Sequence, residues 1–349
     1  TAEGFSVSAP SFRFDIEIEA DVIEEIGRVY GYDNIPDERT SGRLKMLPLP
    51  ETKQSRFDVY RQMAARGYQE VVSYAFVNEE WEQDFAANAD PVRLQNPLAA
   101  QYAVMRSTLI GGLVEILQNN LNRKQSRVRV FEIARVFSKA SDGRFVQNER
   151  VGGLLYGSAL PEQWGEKSRS VDFYDAKADV EALLAGKAVQ FVKAAHPALH
   201  PGRTAEIVLD GQTIGFIGEL HPQWLQKYDL PQAALVFEVD MAAVAAKEKA
   251  AYRPVSKFQP VRRDLAFVMP EEMSHDSLLS ALRGESSRLV QEISVFDVYR
   301  GAGLPEGMKS LAVKIILQDT EATLTDETVE PLIGRLIQAA ADAGAQLRG

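Results

Sequence analysis

The chain has 349 residues, 45% hydrophobic and 25% charged, which gives it the length for two to three folded domains and argues against extensive disorder. With no cysteine and four histidines, it has no material for disulfides, thiolate catalysis, Cys-ligated zinc or iron–sulfur clusters. The formal net charge of −10 opposes whole-molecule attraction to a polyanion, yet the acid is local: residues 1–40 carry 3 basic and 10 acidic side chains, whereas residues 41–255 carry 26 and 25. Residues 256–349 carry 10 and 14. No apolar run reaches the ~18 residues of a membrane span, and the start Thr1-Ala2-Glu3-Gly4 lacks a secretory core, so a soluble, cytoplasmic protein without a membrane partner is expected. The first residue is not Met, as expected of a fragment or processed piece.

Phe12, Phe14, Ile16 and Ile18 alternate with Ser11, Arg13, Asp15, Glu17 and Glu19, the period of a half-buried strand. Val22, Ile23, Ile26, Val29 and Tyr30 then take helical spacing, with Asp21 as N-cap, Glu24 three residues later, Gly31 at C′ and Pro36 barring continuation. Residues 40–55, with Gly42, Pro48 and Pro50, read as a linker. The spacing next predicts a helix over 56–66 ended by Gly67, a strand over 70–77, a helix over 107–122 and a strand over 127–137. Residues 158–170 read as a long surface loop, and Asp210-Gly211 between two β-rich runs is the strongest hairpin signal. Uneven strand spacing with interspersed helices predicts an antiparallel α+β domain.

A second linker covers 245–260. Beyond it come a strand over 262–269, a helix from Ser274, strands over 289–299 and 310–317, a helix from Thr325 and a short strand near Gln346. That order is the split βαβ, ferredoxin-like one.

Four constellations bear on chemistry. Asp15, Asp21, Glu24 and Glu25 can share a small volume, because positions 21, 24 and 25 are helical neighbours. Either they cap the helix and complement its positive end, or they hold a hard cation such as Mg²⁺. His196, His200 and His221 each precede a proline or lie beside one, which precludes a zinc-binding helix and favours turns in which the imidazoles bond to backbone. Gly301, Gly303 and Gly307 lead into a strand and not a helix, so they read as a hairpin connection in preference to a phosphate cradle. Finally, Arg262, Arg263, Arg300, Lys309 and Arg348 lie on or beside strands with Phe296 and Tyr299, the cation and aromatic mixture that single-stranded RNA recognition uses. The two aromatics can equally alternate into the core. No Gly-x-Ser-x-Gly elbow is present to anchor a hydrolase triad.

The ordered set PSFRFDIEIEADVIEEIGRVYGYDNIP (10–36), MRSTL (105–109), RVRVFEIARVF (127–137), VDFYDAKADVEALL (171–184), HPALHPGRTAEIVLDGQTIGFIGELHP (196–222), PVRRDLAFV (260–268) and VFDVYRGAGLPEGMKSLAVKIILQDT (295–320) resembles the bacterial phenylalanyl-tRNA synthetase β-subunit family over essentially the whole chain. The resemblance implies a small B5 remnant over 1–40, a class II synthetase-like pseudo-catalytic core over 41–250 (an antiparallel sheet with helices), and a ferredoxin-fold anticodon-binding domain over 256–349. The family's upstream tRNA-binding and editing modules are expected to lie outside this sequence.

It further implies ATP-dependent attachment of phenylalanine to tRNA(Phe), carried out with an α subunit, in a tetramer of two α and two β. Because the family forms its adenylate in α, the resemblance assigns no catalytic residue here, and the isolated chain is expected to be inactive. Asp15, Asp21, Glu24 and Glu25 match positions that the family assigns to a Mg²⁺ shared with α, so the site is expected to be empty without that subunit. Pro331 departs from an uninterrupted terminal helix and is expected to kink or shorten it. The rival readings are a non-enzymatic RNA-binding or scaffold module and a Mg²⁺-dependent hydrolase using the N-terminal carboxylates.

Overall fold

Val128–Lys139 (β4) and Phe145–Tyr156 (β5) run antiparallel in unbroken register from Val128↔Tyr156 to Lys139↔Phe145, and the rest of the larger unit is built on this pair. The computed structural model of the chain describes residues 4–39, 41–45, 50–252, 254–285 and 287–348. It divides into two compact units, Thr1–Glu248 and Lys249–Gly349.

In chain order the first unit contains α1 (Glu19–Tyr30), α2 (Arg56–Ala65), β1 (Gln69–Glu70), β2 (Phe76–Val77), α3 (Glu79–Ala86), β3 (Val104–Met105) and α4 (Ile110–Asn122). After β4 and β5 come α5 (Phe173–Leu183), β6 (Val189–Lys193), β7 (Leu199–Leu209), β8 (Gln212–Leu220), α6 (Pro222–Lys227), β9 (Leu235–Asp240) and α7 (Met241–Ala245). Among the described residues the main sheet has seven strands in the order β1-β4-β5-β9-β8-β7-β6. Only β1 joins it parallel, through Gln69↔Val130 and Glu70↔Phe131.

Alternation along β4 buries both faces of the sheet. Phe131 and Ile133 join Val59 and Met63 of α2 and Ala176, Val180 and Leu183 of α5. Val128, Val130 and Val136 face the other way, onto Phe85 of α3 and Ile110, Leu113, Val114 and Leu117 of α4. The unit is therefore three layers, helices on sheet on helices. The hairpin at Asp210-Gly211 forms as expected, with φ of 52° and 75°, the positive pair that a tight two-residue turn demands.

The second unit holds β10 (Val261–Pro270), α8 (His275–Gly284), β11 (Val290–Tyr299), β12 (Met308–Leu317), α9 (Asp326–Asp342) and β13 (Gln346–Leu347), with sheet order β11-β12-β10-β13. Phe267, Met269, Leu311, Val313 and Ile315 pack one sheet face against Leu278 and Leu282 of α8 and Leu332 and Leu336 of α9. Among the described residues of this unit, no helix packs on the opposite face. Both helices begin where the sequence places them, Ser274 capping α8 through the N–H of Ser277 and Thr325 preceding α9. The α+β class and the ferredoxin-like order are as expected, and Gly301 to Gly307 do connect two antiparallel strands.

Several local expectations need correction. Residues 12–18 form turns and not a strand: the Arg13 N–H bonds Pro10 O, Phe12 and Phe14 are exposed, and among the described residues no strand pairs with the segment. A lone strand leaves its ladder groups unpaired, so alternation without a neighbour does not produce one. The N-cap of α1 is Ile18; Asp21 sits at N3 and its carboxylate reaches back to the N–H groups of Glu17 and Ile18 at 2.8 and 2.9 Å.

The strand expected over 70–77 is broken between Glu70 and Phe76, because the Ser73 N–H and hydroxyl donate to Glu132 instead of a ladder. The helix expected from 107 begins at Ile110, the hydroxyl of Thr108 and the N–H of Leu109 being held by Glu238. Pro331 neither ends nor shortens α9, which runs 17 residues through it. The expected linkers over 40–55 and 245–260 fall partly on residues 40, 46–49 and 253, which lie outside the described residues. Among the described residues no helix is long and apolar enough to cross a membrane.

Candidate RNA-facing sheet and a closed larger unit

On the α4 side of the larger sheet, two carboxylates are buried among hydrogen-bond partners. Glu132 on β4 is 3% exposed and accepts from Arg106 at 3.1 and 3.3 Å and from the Ser73 hydroxyl at 2.7 Å. Glu238 on β9 is fully buried and accepts from the Thr108 hydroxyl at 2.7 Å, the Leu109 N–H at 2.8 Å and Arg150 at 2.9 Å. Buried charges persist only when paired and hydrogen-bonded, and here every charge is matched inside the protein. Leu109 and Leu113 also press onto Gly152 of β5, where a Cβ would come within 3.0 Å of Leu109. Glu132 and Glu238 are thus both committed to partners inside the protein, and Leu109 and Leu113 fill the space over Gly152.

The N-terminal acids are placed by α1 and the turns before it. Arg13 donates to Asp15 at 2.7 Å and to Glu25 at 2.7 Å, and Arg28 reaches Glu25 from the next turn at 2.7 Å. Arg13 and then Arg28 push the Glu25 carboxyl down to about 2, and Arg13 likewise lowers Asp15. Asp21 is lowered by the two backbone N–H groups it caps. Glu24 lies exposed on the same helix.

In this arrangement Arg13 takes up Asp15 and Glu25, and among the described residues no group of three or more His, Cys, Asp or Glu is placed to hold a metal. The helix-capping reading holds for Asp21.

The histidines are turn residues. Nδ1 of His196, His200 and His221 accepts the N–H of Ala198, Gly202 and Gln223 at 3.2, 2.9 and 3.1 Å. His196 stacks on Phe216 with ring centroids 4.0 Å apart, and burial with the nearby Arg150 pushes its pKa down to about 4.

On the helix-free face of the second unit, Phe296 and Tyr299 stay exposed instead of entering the core. The Arg262 guanidinium lies 5.6 Å from the Phe296 centroid and that of Arg348 lies 5.2 Å from the Tyr299 centroid. The five basic residues singled out in the sequence are not equivalent. Arg262 shares this face with its partner Asp264 at 2.8 Å. Arg263, next along β10, points to the helix side and bonds Asp326 and Glu330 of α9 at 2.9 and 3.2 Å. Arg300 grips Glu271 at 2.7 Å.

Lys309 is buried and donates to the Glu271 carbonyl at 2.7 Å, which withdraws it from phosphate contact. Sequence reasoning missed Lys314, paired with Glu292 at 2.7 Å. The signal was available: on β12 it lies opposite Asp264 and so on the Arg262 face.

Residues 1–32 match the family model of the tRNA synthetase B5 domain, residues 35–241 that of the phenylalanyl tRNA synthetase beta chain CLM domain, and residues 256–348 that of the ferredoxin-fold anticodon binding domain. The chain is 80% identical over 348 residues to a phenylalanine–tRNA ligase beta subunit of Neisseria meningitidis, covering 100% of this chain and 44% of that protein. It is 56% identical over 346 residues to the beta subunit of Chromobacterium violaceum, covering 99% of this chain and 44% of the relative. The chain thus spans less than half the length of these relatives, but within that span the likeness is continuous. It belongs to the phenylalanine–tRNA ligase β-subunit family.

Proposed function

We propose that this chain is the part of a phenylalanine–tRNA ligase β subunit that supports ATP-dependent attachment of phenylalanine to tRNA(Phe), together with an α subunit in a cytoplasmic tetramer of two α and two β. The observation that carries the reading is the open sheet of the second unit, where Arg262 with Phe296 and Arg348 with Tyr299 offer cations and ring faces in a region that matches an anticodon-binding domain. Unstacked bases need planar partners and phosphates need positive charge. The larger unit, with Glu132 and Glu238 already consumed, is read as a scaffold that docks and orients, with the adenylate chemistry in α. On this reading the three domains are a B5 remnant over 1–40, the pseudo-catalytic core over 41–250 and the anticodon-facing domain over 256–349.

Of the basic set, Arg262 and Arg348 are assigned to tRNA. Arg263 and Arg300 are engaged in surface ion pairs with Asp326, Glu330 and Glu271, and Lys309 is buried on the Glu271 carbonyl. A Mg²⁺ at Asp15, Asp21, Glu24 and Glu25 rests on the family resemblance alone and would need Arg13 to release its two carboxylates. The deciding experiment pairs the full β chain with its cognate α subunit and measures aminoacylation of tRNA(Phe). Charging by the pair, absent from either subunit alone and weakened by Phe296→Ala with Tyr299→Ala, supports the reading. Phenylalanine-dependent ATP–pyrophosphate exchange by the 349-residue chain alone, or failure to bind α, defeats it.

A further inference from the structure

The helix α4 opens on two glycines that bring its backbone against other elements. A Cβ on Gly111 would come within 2.6 Å of the Trp81 ring, and one on Gly112 within 2.4 Å of the Ser73 hydroxyl. Glu115, three and four residues further on, therefore projects from the same helical face. It borders a cleft of 220 Å³ whose other walls include Tyr74, Phe76, Trp81 and Tyr102. Tyr74 is 5.3 Å from Tyr102, tilted by 50°, and 6.3 Å from Phe76 at 24°, so the rings form a continuous wall.

The acids of α3 next to this cleft are paired, whereas the one that lines it is not. Glu79 is bridged to Arg93 and Glu80 to Lys227 at 2.6 Å. Glu115 is exposed and, among the described residues, has neither a hydrogen bond nor an ion pair. Aromatic faces carry negative charge density and attract a cation, and an unpaired carboxylate at their rim adds a second attraction of the same sign. The same carboxylate repels phosphate and other anions. The volume is below the ~300 Å³ at which small-molecule sites begin and suits the end of one side chain.

We propose that the cleft formed by Tyr74, Trp81, Tyr102 and Glu115 is a receptor for an arginine or lysine side chain of a partner polypeptide. The ring faces take the flat or alkyl surface and Glu115 takes the charged end. Nothing in this assignment depends on the tRNA reading, since it concerns the first unit alone.

The chain has three tryptophans, and Trp81 lies in the wall, so tryptophan fluorescence reports occupancy. The 349-residue chain is titrated with doubly capped arginine and, separately, with doubly capped citrulline, which has nearly the same shape without the charge. A saturable change with arginine is expected, absent in Trp81→Phe and weakened about tenfold in Glu115→Gln and for citrulline. Glu115→Gln alters an exposed, unpaired group and keeps the fold, so its result stands even where an aromatic variant unfolds. An absent or non-saturating response, equal affinity for citrulline, indifference to Glu115→Gln, or a response that survives in Trp81→Phe would each overturn the proposal.

Discussion

Arg262 lies with its guanidinium 5.6 Å from the ring centroid of Phe296, and both side chains stand on the sheet face that α8 and α9 leave uncovered. Stacking on an exposed ring contributes about 1–3 kcal/mol per base, and each phosphate-bound cation steepens the salt dependence by about one unit. In the ligase, Phe296→Ala is therefore expected to weaken tRNA(Phe) binding about tenfold or more, and Arg262→Ala to flatten the plot of log affinity against log salt. Filter binding at several salt concentrations reads both. Unchanged affinity in Phe296→Ala together with an unchanged slope in Arg262→Ala removes this face from the tRNA contact.

Lys309 should behave in the opposite way. Its ammonium is buried on the Glu271 carbonyl, so Lys309→Met is expected to change stability and leave the salt slope of tRNA binding as it was. A flattened slope in that variant would show that the ammonium reaches the phosphates.

Arg13 stands between Asp15 and Glu25 as an internal counter-ion. Both carboxyls are held below their ordinary values, so both stay ionised and paired through neutral and mildly acidic pH. The expectation by calorimetry is weak Mg²⁺ binding to the chain alone and tighter binding in Arg13→Ala, where the two acids lose their cation. Equal, tight binding by both proteins would mean that the ion displaces the arginine unaided.

His196 supplies a pH dependence. Its pKa is about 4 in the folded chain against an ordinary 6.5, so the unfolded chain binds the proton more readily between those values. The stability due to neutral His196 is intact above pH 6.5 and is lost as pH falls to about 4, by up to about 3 kcal/mol if the whole shift is realised. His196→Asn keeps an acceptor for the Ala198 N–H and cannot titrate. Urea unfolding at pH 7 and pH 5 should show a smaller loss in the variant than in the parent, and equal losses would exclude His196 as the source.

Glu132→Gln leaves Arg106 buried beside a neutral partner, and breaking such a pair costs about 3–5 kcal/mol. The double change Arg106→Met with Glu132→Leu removes both charges and should cost less than the single one. Denaturant midpoints compare them; a single variant as stable as the parent would show the pair to be dispensable.

What was legible in the sequence was whatever one short segment decides for itself. Asp210-Gly211 demanded positive φ, and Ser274 and Thr325 marked their helix starts. What was not legible depended on partners distant in the chain. The alternation in 12–18 specifies a one-sided surface but does not supply the neighbouring strand. Ser73 leaves its ladder for Glu132, 59 residues away, and Lys309 turns inward to a carbonyl 38 residues away. The acidic cluster was legible as a cluster. That Arg13 would fill it depended on the turn at Pro10–Arg13 swinging that side chain back over α1.

The packing of Leu109 and Leu113 onto Gly152 makes this face of the larger unit hard to open. Clearing room for a nucleotide there would mean truncating both leucines, at about 2–5 kcal/mol each, against a total stability of about 5–15 kcal/mol for a typical protein. Uncovering Glu132 and Glu238 would strand Arg106 and Arg150 as well. Each step toward an open pocket on this face would therefore weaken the fold before any room for a ligand was gained.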